Sequence, residues 1–228
     1  MIRRFYQAVA VRAEADGWAV YLDANRLNTP GRAALLLPTA ALADAIAQEW
    51  RAQGEAIQPD TMPLTRLANV AVERTPANRP GLAMQLAQYG ATDLLHHRAE
   101  EPPELAARQA AAWDPLLDWA EAALGLRLLV VAGVIAPVRD AGRLQELAAG
   151  EDDFRLTGLA HGAALFGSAF LAFALLRGRI TAQEAFALSR LDETFQAEHW
   201  GEDEEAAERA GRLEREALAL GRFFLALR

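Results

Sequence analysis

The sequence predicts an α+β protein in which a small β-containing N-terminal domain precedes a mainly α-helical C-terminal bundle. Two patterns indicate this order. Apolar residues alternate with a period of two over much of the first forty positions, which is typical of strands, and from Thr39 onwards they recur every three or four positions, which is typical of helices. The chain of 228 residues is 52% hydrophobic and 24% charged, a composition that supports a sizeable core.

The N-terminal segment predicts a small antiparallel meander with one face to bury. Apolar side chains alternate over residues 8–11 and again over residues 18–22. Asp16-Gly17, between these two runs, is a hairpin-type turn. Further turns are expected at residues 23–25 and 29–31, before a short apolar run.

Three helices are predicted after the meander. Thr39 is a suitable N-cap for the first, which should end at Gly54. The second should start at Thr61, because a helix-compatible Pro63 and an apolar stripe follow it. The third should span residues 80–89.

The clearest interruption of the chain is Pro102-Pro103, where we expect a domain boundary. Residues 1–101 would then form the N-terminal domain and residues 102–228 the C-terminal one. Beyond the boundary, the pattern predicts one strand at residues 126–131 and helices at residues 104–124, 140–149, 154–177, 181–200 and 203–227.

One stretch of the C-terminal part approaches the length of a membrane span. Residues 158–176 carry no charge except on His161 when it is protonated, and about 20 apolar residues suffice to cross a bilayer. The same composition fits a helix that is buried on all sides of a bundle. We favour the buried helix and expect no stable membrane insertion, because the segment is single and charges are dense on both sides.

Charge and residue usage exclude several classes of function. The formal net charge is −8 and the chain contains neither cysteine nor lysine. Disulfides, thiolate zinc sites and Schiff-base lysines are therefore excluded, and no basic patch suggests nucleic-acid binding. The N-terminal residues lead directly into a strand pattern without the apolar segment of a signal peptide, so we expect a cytoplasmic protein.

No catalytic or metal-binding motif is present in the sequence. Asp93 and His96 have the spacing of one half of a helical metal site, but they stand alone, and a di-metal carboxylate site needs two such units with two further glutamates. We therefore expect no metal, no cofactor and no enzymatic activity. His161 is expected to be a hydrogen-bonded core histidine.

The most unusual segment is LDETFQAEHWGEDEE at residues 191–205, with seven carboxylates in fifteen positions. On a helix, Leu191 and Phe195 would face the bundle. Glu193, Gln196 and Trp200 would lie on the opposite side, with Ser189 one turn earlier. This second side is either a binding face or a second packed face in which Trp200 fills the turn at Gly201.

Several blocks of the chain resemble the ATP12 family, the assembly chaperones of the F1 sector of ATP synthase. They follow the order of the family and cover nearly the whole chain. The blocks are RFYQAVAV (3–11, less the second arginine), LDANRLNTP (22–30), LPTAALADAIAQEW (37–50), MPLTRLANVAVE (62–73), YGATDLLHHRAEEP (89–102), QAAAWDPLLDW (109–119), GSAFLAFAL (167–175) and LDETFQAEHWGEDEEA (191–206). Among them, WDPLLDW together with TDLL and LDE…Q…WGE is a specific combination.

The resemblance implies a chaperone that binds the free F1 α subunit, keeps it from aggregating and promotes F1 assembly. It also implies that an acidic residue near the C-terminus matters, a role that falls on Glu193 with Asp192 as the alternative. The expected client-binding set is completed by Gln196, Trp200 and Glu202. We expect the free protein to be monomeric.

A second candidate surface is formed by Trp113, Asp114 and Asp118, for which packing between domains is the favoured interpretation. Two other functions stay open at this point. One is a helical scaffold or adaptor for another basic protein, and the other is an enzyme that uses the carboxylates and histidines.

Overall fold

The predicted α+β class is confirmed by a computed structural model, which describes residues 2–127, 129–132, 142–201 and 203–228. Small sheets lie in the N-terminal part, and helices form most of the remaining fold.

The predicted meander consists of β2 (Val9–Glu14), β3 (Gly17–Leu22) and β4 (Asn25–Arg26). All its strand pairs are antiparallel. A separate two-stranded sheet pairs β1 (Ile2–Arg3) with β5 (Ala56–Ile57). The turn between β3 and β4 places Asp23 at a φ of 54°, and its carboxylate accepts the backbone N–H of Ala8 at 2.8 Å.

The first helix begins where the sequence predicts. Thr39 caps α1 (Ala40–Arg51), because its hydroxyl accepts the N–H of Leu42 at 3.1 Å. The helix ends at Arg51 rather than at Gly54. The next, α2, is Pro63–Glu73. Thr61 does not start it, because Thr61 lies in a short 3-10 turn, Pro59–Thr61.

The third helix is longer than predicted. Helix α3 (Thr75–Ala91) is divided by a kink at Asn78, whose φ and ψ of −125° and 17° are not helical. A short helical segment precedes the kink, and the helix predicted at residues 80–89 corresponds to the segment after it, with Pro80 in its first turn. A 3-10 turn at Leu94–His96 and the short β6 (His97–Arg98) follow.

The long helix α4 (Pro103–Leu124) agrees with the prediction, and Gly125 ends it in the left-handed conformation at φ 67°. The strand predicted at residues 126–131 is wrong in its extent. Among the described residues of this stretch, only Val131 is in a strand, β7 (Val131–Ala132), which pairs in parallel with β6. The described residues before it are not extended into a sheet.

Six helices complete the described part of the chain: α5 (Gly142–Ala149), α6 (Asp153–Phe166), α7 (Ala169–Leu176), α8 (Ala182–Ser189), α9 (Leu191–Trp200) and α10 (Glu204–Ala226). The start predicted for α5, at residues 140 and 141, lies outside the described residues. The last helix is close to its predicted bounds.

Two helices that the sequence predicts as continuous are each broken in two. The helix predicted at 154–177 stops at Gly167, which has a φ of 65°, and restarts because the Ser168 hydroxyl caps α7 by accepting the N–H of Leu171 at 3.0 Å. The helix predicted at 181–200 breaks at Arg190, whose φ and ψ of −115° and 19° are not helical.

The apolar stretch that has nearly the length of a membrane span, residues 158–176, folds into most of α6 and all of α7. Every residue of α7 is buried in the protein, as expected for a central helix. Within the described residues, no helix is both long and apolar enough to cross a membrane.

One apolar core, reaching from Tyr6 to Leu227, joins the N-terminal and C-terminal parts of the fold. Helices α2 and α3 pack on α6, and α1 and α2 pack on α10. The boundary predicted between residues 101 and 102 falls immediately before α4, and the division into two domains stays a prediction.

Candidate functional site

The end of the acidic segment presents a large aromatic side chain to solvent. Helix α9 buries Leu191 and Phe195 against the bundle, and the side chains of Glu193, Gln196 and Trp200 are exposed. Trp200 is 77% exposed. These three residues follow one another at intervals of three and four positions and so share one side of the helix; we call them the α9 face.

Trp200 is the last residue of α9, and the residue before it packs on the helix. His199 stacks on the ring of Phe195 with centroids 4.1 Å apart, and the His199 Nδ1 lies 2.8 Å from the Phe195 carbonyl oxygen. Gly201 then ends the helix at a φ of 91°. The interpretation in which Trp200 fills the turn at Gly201 as part of a second packed face is wrong, because the indole projects into solvent.

Ser189 does not belong to this side of the helix, contrary to the helical projection. It is buried, and its hydroxyl donates to the Phe186 carbonyl at 2.8 Å. The projection fails because the break at Arg190 rotates α8 relative to α9, so positions before and after it no longer share one helical phase.

Two carboxylates of α9 form ion pairs on its surface. Glu193 accepts a hydrogen bond from Arg190 at 3.1 Å. Glu198 receives two hydrogen bonds from Arg108 of α4, at 2.6 and 3.0 Å. The hydrogen bond from Arg108 lowers the pKa of the Glu198 carboxyl below its usual value. Both pairs lie on a surface that water reaches.

Asp192, by contrast, points towards the protein. Its carboxylate accepts the side-chain amide N–H of Gln109 at 2.7 Å, and the Gln109 oxygen accepts the backbone N–H of Ala99 at 2.7 Å. Because Gln109 is buried, this chain of hydrogen bonds fixes the start of α9 against α4 and against the segment that follows β6.

The second candidate surface is only partly internal, because Trp113 is buried and Asp114 is exposed. Trp113 is 1% exposed, and its indole N–H donates to the Leu188 carbonyl at 3.1 Å. Arg98 lies over the Trp113 ring at 5.0 Å and donates to the Asp114 carboxylate at 2.7 Å. Asp118 is exposed. The segment therefore packs α4 against α8. Glu202, from the first candidate set, lies outside the described residues.

An apolar groove runs beside α9. It has a volume of about 450 Å³ and lies between α4, the turn before α8, and α9, with Arg108 and Thr194 at its rim. Its apolar lining includes Ala112, Pro115, Leu116, Ile180, Leu188 and Leu191. Helix α9 therefore carries Trp200 and exposed carboxylates and also borders this apolar groove.

The histidines do not assemble a metal site in the part of the chain that the structure describes. No group of three or more histidine and carboxylate side chains in those ranges is placed to hold an ion. His96 lies with its two ring nitrogens each 2.8 Å from a carbonyl oxygen, of Gly90 and Leu129. Asp93 accepts the backbone N–H of Leu95 at 3.1 Å, so the pair serves the fold.

His161 is only partly buried, and the prediction of a hydrogen-bonded core histidine is wrong. Its Nε2 lies 3.8 Å from the Glu216 carboxylate, which is too long for a hydrogen bond. Burial lowers the pKa of His161 below its usual value, and Glu216 opposes that shift.

Sequence reasoning missed the residues that position α9. Arg98, Arg108 and Gln109 were not singled out, although all three contact the candidate segments. Their partners lie as far as 90 positions away, as between Arg108 and Glu198. Nothing in a single sequence predicts that α4 approaches α9, so these pairs leave no signal in it.

Comparison with known proteins assigns the chain to a family. A family model described as ATP12 chaperone protein matches residues 3–121, which is more than half of the chain. The chain belongs to the ATP12 family. The resemblance found in the sequence is therefore confirmed, and the matching family is a family of chaperones.

Solved structures of ATP12 proteins have the same fold. Atp12 of Paracoccus denitrificans is 46% identical, with a TM-score of 0.94 over 100% of this chain and 99% of that one. A protein of Agrobacterium tumefaciens is 36% identical, with a TM-score of 0.91 over 99% of this chain and 86% of that one. The mitochondrial Atp12 of Schizosaccharomyces pombe is 25% identical over 90% of this chain and 76% of that protein.

One further ATP12 structure bears on acidic side chains. It is an Asp-to-Lys mutant of the Paracoccus denitrificans protein, and it matches this chain with a TM-score of 0.94 and 45% identity over 100% of this chain and 98% of that one. The ATP12 fold therefore tolerates the reversal of one acidic charge in that relative.

Proposed function

We propose that this ATP12 protein is an assembly chaperone that binds the free α subunit of the F1 sector of ATP synthase. By covering that subunit it prevents aggregation until the subunit pairs with β. Family membership supports the chaperone role, and the exposure of Trp200 beside Glu193 is the observation that supports the α9 face as the client contact.

The chemistry of the face suits an unassembled subunit. Such a client exposes apolar surface and cationic groups that its partner subunit later covers. A tryptophan buries a large area when it is covered, and tryptophan is enriched among residues that dominate binding energy. A net charge of −8 favours encounter with a basic surface.

Within this face, Glu193 is the proposed partner of a client arginine or lysine. Its present partner, Arg190, is one turn away on the surface, and an exposed ion pair of this kind contributes little to stability. The carboxylate can therefore exchange Arg190 for a client cation at small cost. Gln196 would add a hydrogen bond, and Glu202 would extend the acidic surface.

Asp192 has a different part in this proposal. Because Gln109 already occupies its carboxylate, Asp192 acts as a positioning residue for α9 rather than as a contact. An interface of modest size, which such a face and the neighbouring groove would form, also permits release when β arrives. We propose that the protein works as a monomer in the bacterial cytoplasm, without cofactor, nucleic acid or membrane insertion.

The test is co-expression of the F1 α subunit of the same organism with wild-type or variant chaperone. Glu193→Lys and Trp200→Ala should each reduce the amount of soluble, co-purifying α subunit. Glu208→Lys is the matched control, because Glu208 is also an exposed helical carboxylate beside an arginine, Arg212, at 3.8 Å. Circular dichroism should show that all variants stay folded.

The outcomes separate the levels of the proposal. If the Glu208→Lys control retains activity and both face variants lose it, the α9 face is the client contact. If all variants keep the α subunit soluble, the chaperone role stands but the face is wrong. If wild type has no effect on the α subunit, a scaffold for another basic protein takes the place of the proposed function.

A further inference from the structure

A second groove, of opposite charge to the α9 face, lies between the start of α8 and the last two turns of α10. It has a volume of about 550 Å³. Its deeper lining is apolar and includes Leu175 and Ile180, which are buried. Three arginines, Arg179, Arg222 and Arg228, line its rim; we call this site the arginine groove.

In the described parts of the chain, no carboxylate oxygen lies within 4.0 Å of the guanidinium nitrogens of these three arginines, whereas other arginines do form such ion pairs. All three arginines are exposed. Glu184 also lines the groove; its carboxylate accepts the backbone N–H and the hydroxyl of Thr181 at 2.7 and 2.9 Å and interacts with the charge of Arg179, so the lining carries three positive charges and one negative charge. The groove therefore concentrates positive charge in a protein whose net charge is −8.

An apolar side chain stands among these cations. Leu225, on the groove side of α10, is 63% exposed, and Leu218 lies two turns before it on the same helix. A leucine left in solvent between charged groups is unremarkable alone, but here it borders an apolar depression. The combination offers charge pairing and burial of apolar area at one place.

The backbone is shaped for this arrangement. Gly178 has a φ of 69°, and a side chain there would collide with the guanidinium group of Arg228. Gly221 on α10 faces Ala182 on α8 so closely that a Cβ would overlap it. The two glycines thus allow α8 to approach α10 and allow Arg228 to lie across the turn before α8.

We propose that the arginine groove binds an acidic segment of a partner protein that carries an apolar side chain between its carboxylates. Guanidinium groups recognise carboxylates with paired hydrogen bonds, and Leu225 and Leu218 would cover the apolar side chain. A nucleic acid or an anionic membrane fits less well, because neither places an apolar side chain between its anionic groups and neither would use the apolar lining. This inference is independent of the function proposed for the α9 face.

The test uses a fluorescein-labelled acidic peptide, EELEELEELE, and fluorescence anisotropy with the full-length protein at low salt. Saturable binding is expected. Arg179→Glu should weaken it about tenfold, because a reversed charge replaces attraction by repulsion. Arg222→Gln and Leu225→Ser should each weaken it about threefold. Arg222 is changed to glutamine rather than glutamate because burial already raises the pKa of the Glu49 carboxyl, an effect that Arg222 opposes, and a new negative charge there would add to the rise.

Arg215→Glu is the matched control, because Arg215 is an exposed arginine of α10 about two turns from Arg222 that does not line the groove. It should bind the peptide as wild type does. Equal weakening by the Arg215 control would overturn the site in favour of general electrostatics, and no effect of any groove variant would overturn it as well.

Further probes test the chemistry of the partner. A peptide in which serine replaces leucine should bind more weakly; equal binding would remove the apolar part of the proposal. Single-stranded DNA and phosphatidylserine vesicles should not compete for the groove, and competition by either would reassign it to that ligand. Light scattering should show a monomer. If the protein associates with itself through the acidic segment of a second copy, the proposal of a separate partner protein is overturned.

Discussion

The side-chain amide of Gln109 donates a hydrogen bond to the carboxylate of Asp192 at 2.7 Å. This contact joins α4 to the first turn of α9 across 83 positions of the chain. Because the other end of the same amide accepts the N–H of Ala99 at 2.7 Å, one buried glutamine sets how α9, and with it Trp200, is presented.

The first prediction concerns this glutamine. Gln109→Ala should lower the free energy of unfolding by about 2–4 kcal/mol, because the partly buried N–H of Ala99 and the partly buried carboxylate of Asp192 both lose their partner. Asp192→Asn should cost less, about 1 kcal/mol, because its amide oxygen still accepts from Gln109. Urea unfolding followed by circular dichroism measures both. Equal losses in the two variants would show that the charge of Asp192, not the hydrogen bond, holds the helix.

The second prediction concerns pH. Burial raises the pKa of the Asp93 carboxyl to about 6, above its ordinary value, although the N–H groups of Leu95 and Phe170 donate to it. The folded protein therefore holds a proton that the unfolded chain has released between pH 4 and 6, and stability falls as pH rises through this range. The loss should reach about 3 kcal/mol.

Asp93→Asn isolates this effect. The variant cannot titrate at that position, so the difference in unfolding free energy between wild type and variant should change with pH in that window and be flat on either side. Urea unfolding at closely spaced pH values tests it, with the same series on Asp118→Asn, an exposed site, as control. A constant difference between wild type and the Asp93 variant across the window would contradict a raised pKa.

The third prediction concerns close packing between α6 and α10. A methyl group added at Gly158 would overlap the ring of Phe224, which is buried and has little room to move. Gly158→Ala should therefore destabilise the protein by about 1–3 kcal/mol. Gly54→Ala is the control, because a side chain there meets no atom within 4 Å. It should be neutral or slightly stabilising; thermal unfolding of both variants decides.

Much of the fold follows from local signals. The meander rests on strand alternation and on Asp16-Gly17, and α1 on the cap at Thr39. The break at Gly167-Ser168 also had its signals, a glycine followed by a capping residue, but the apolar run around it indicated a continuous helix. The break at Arg190 has no comparable signal, since Ser189 and Arg190 are compatible with a helix and tertiary packing decides their conformation.

The candidate site was predictable only in part. Spacing alone put Glu193, Gln196 and Trp200 on one side, because all three lie within the unbroken α9. Ser189 was misplaced because it precedes the break. The positions of Trp113 and Asp192 depend on contacts with Leu188 and Gln109 that join distant elements, and helical projection of one element contains no information about the next.

The fourth prediction uses the different exposure of the tryptophans. Trp200 is 77% exposed and Trp113 only 1%, so acrylamide should quench the fluorescence of Trp200 far more effectively. Trp200→Phe should lower the slope of the quenching plot markedly, whereas Trp113→Phe should leave the slope nearly unchanged or raise it, because it removes a protected emitter.

The same plot reports on the α9 face. Adding the F1 α subunit should lower the quenching slope of the wild-type protein more than the slope of Trp200→Phe. Each change is measured relative to the same protein without the subunit, after the fluorescence of the subunit has been subtracted. An equal change in both proteins would place the client contact away from Trp200.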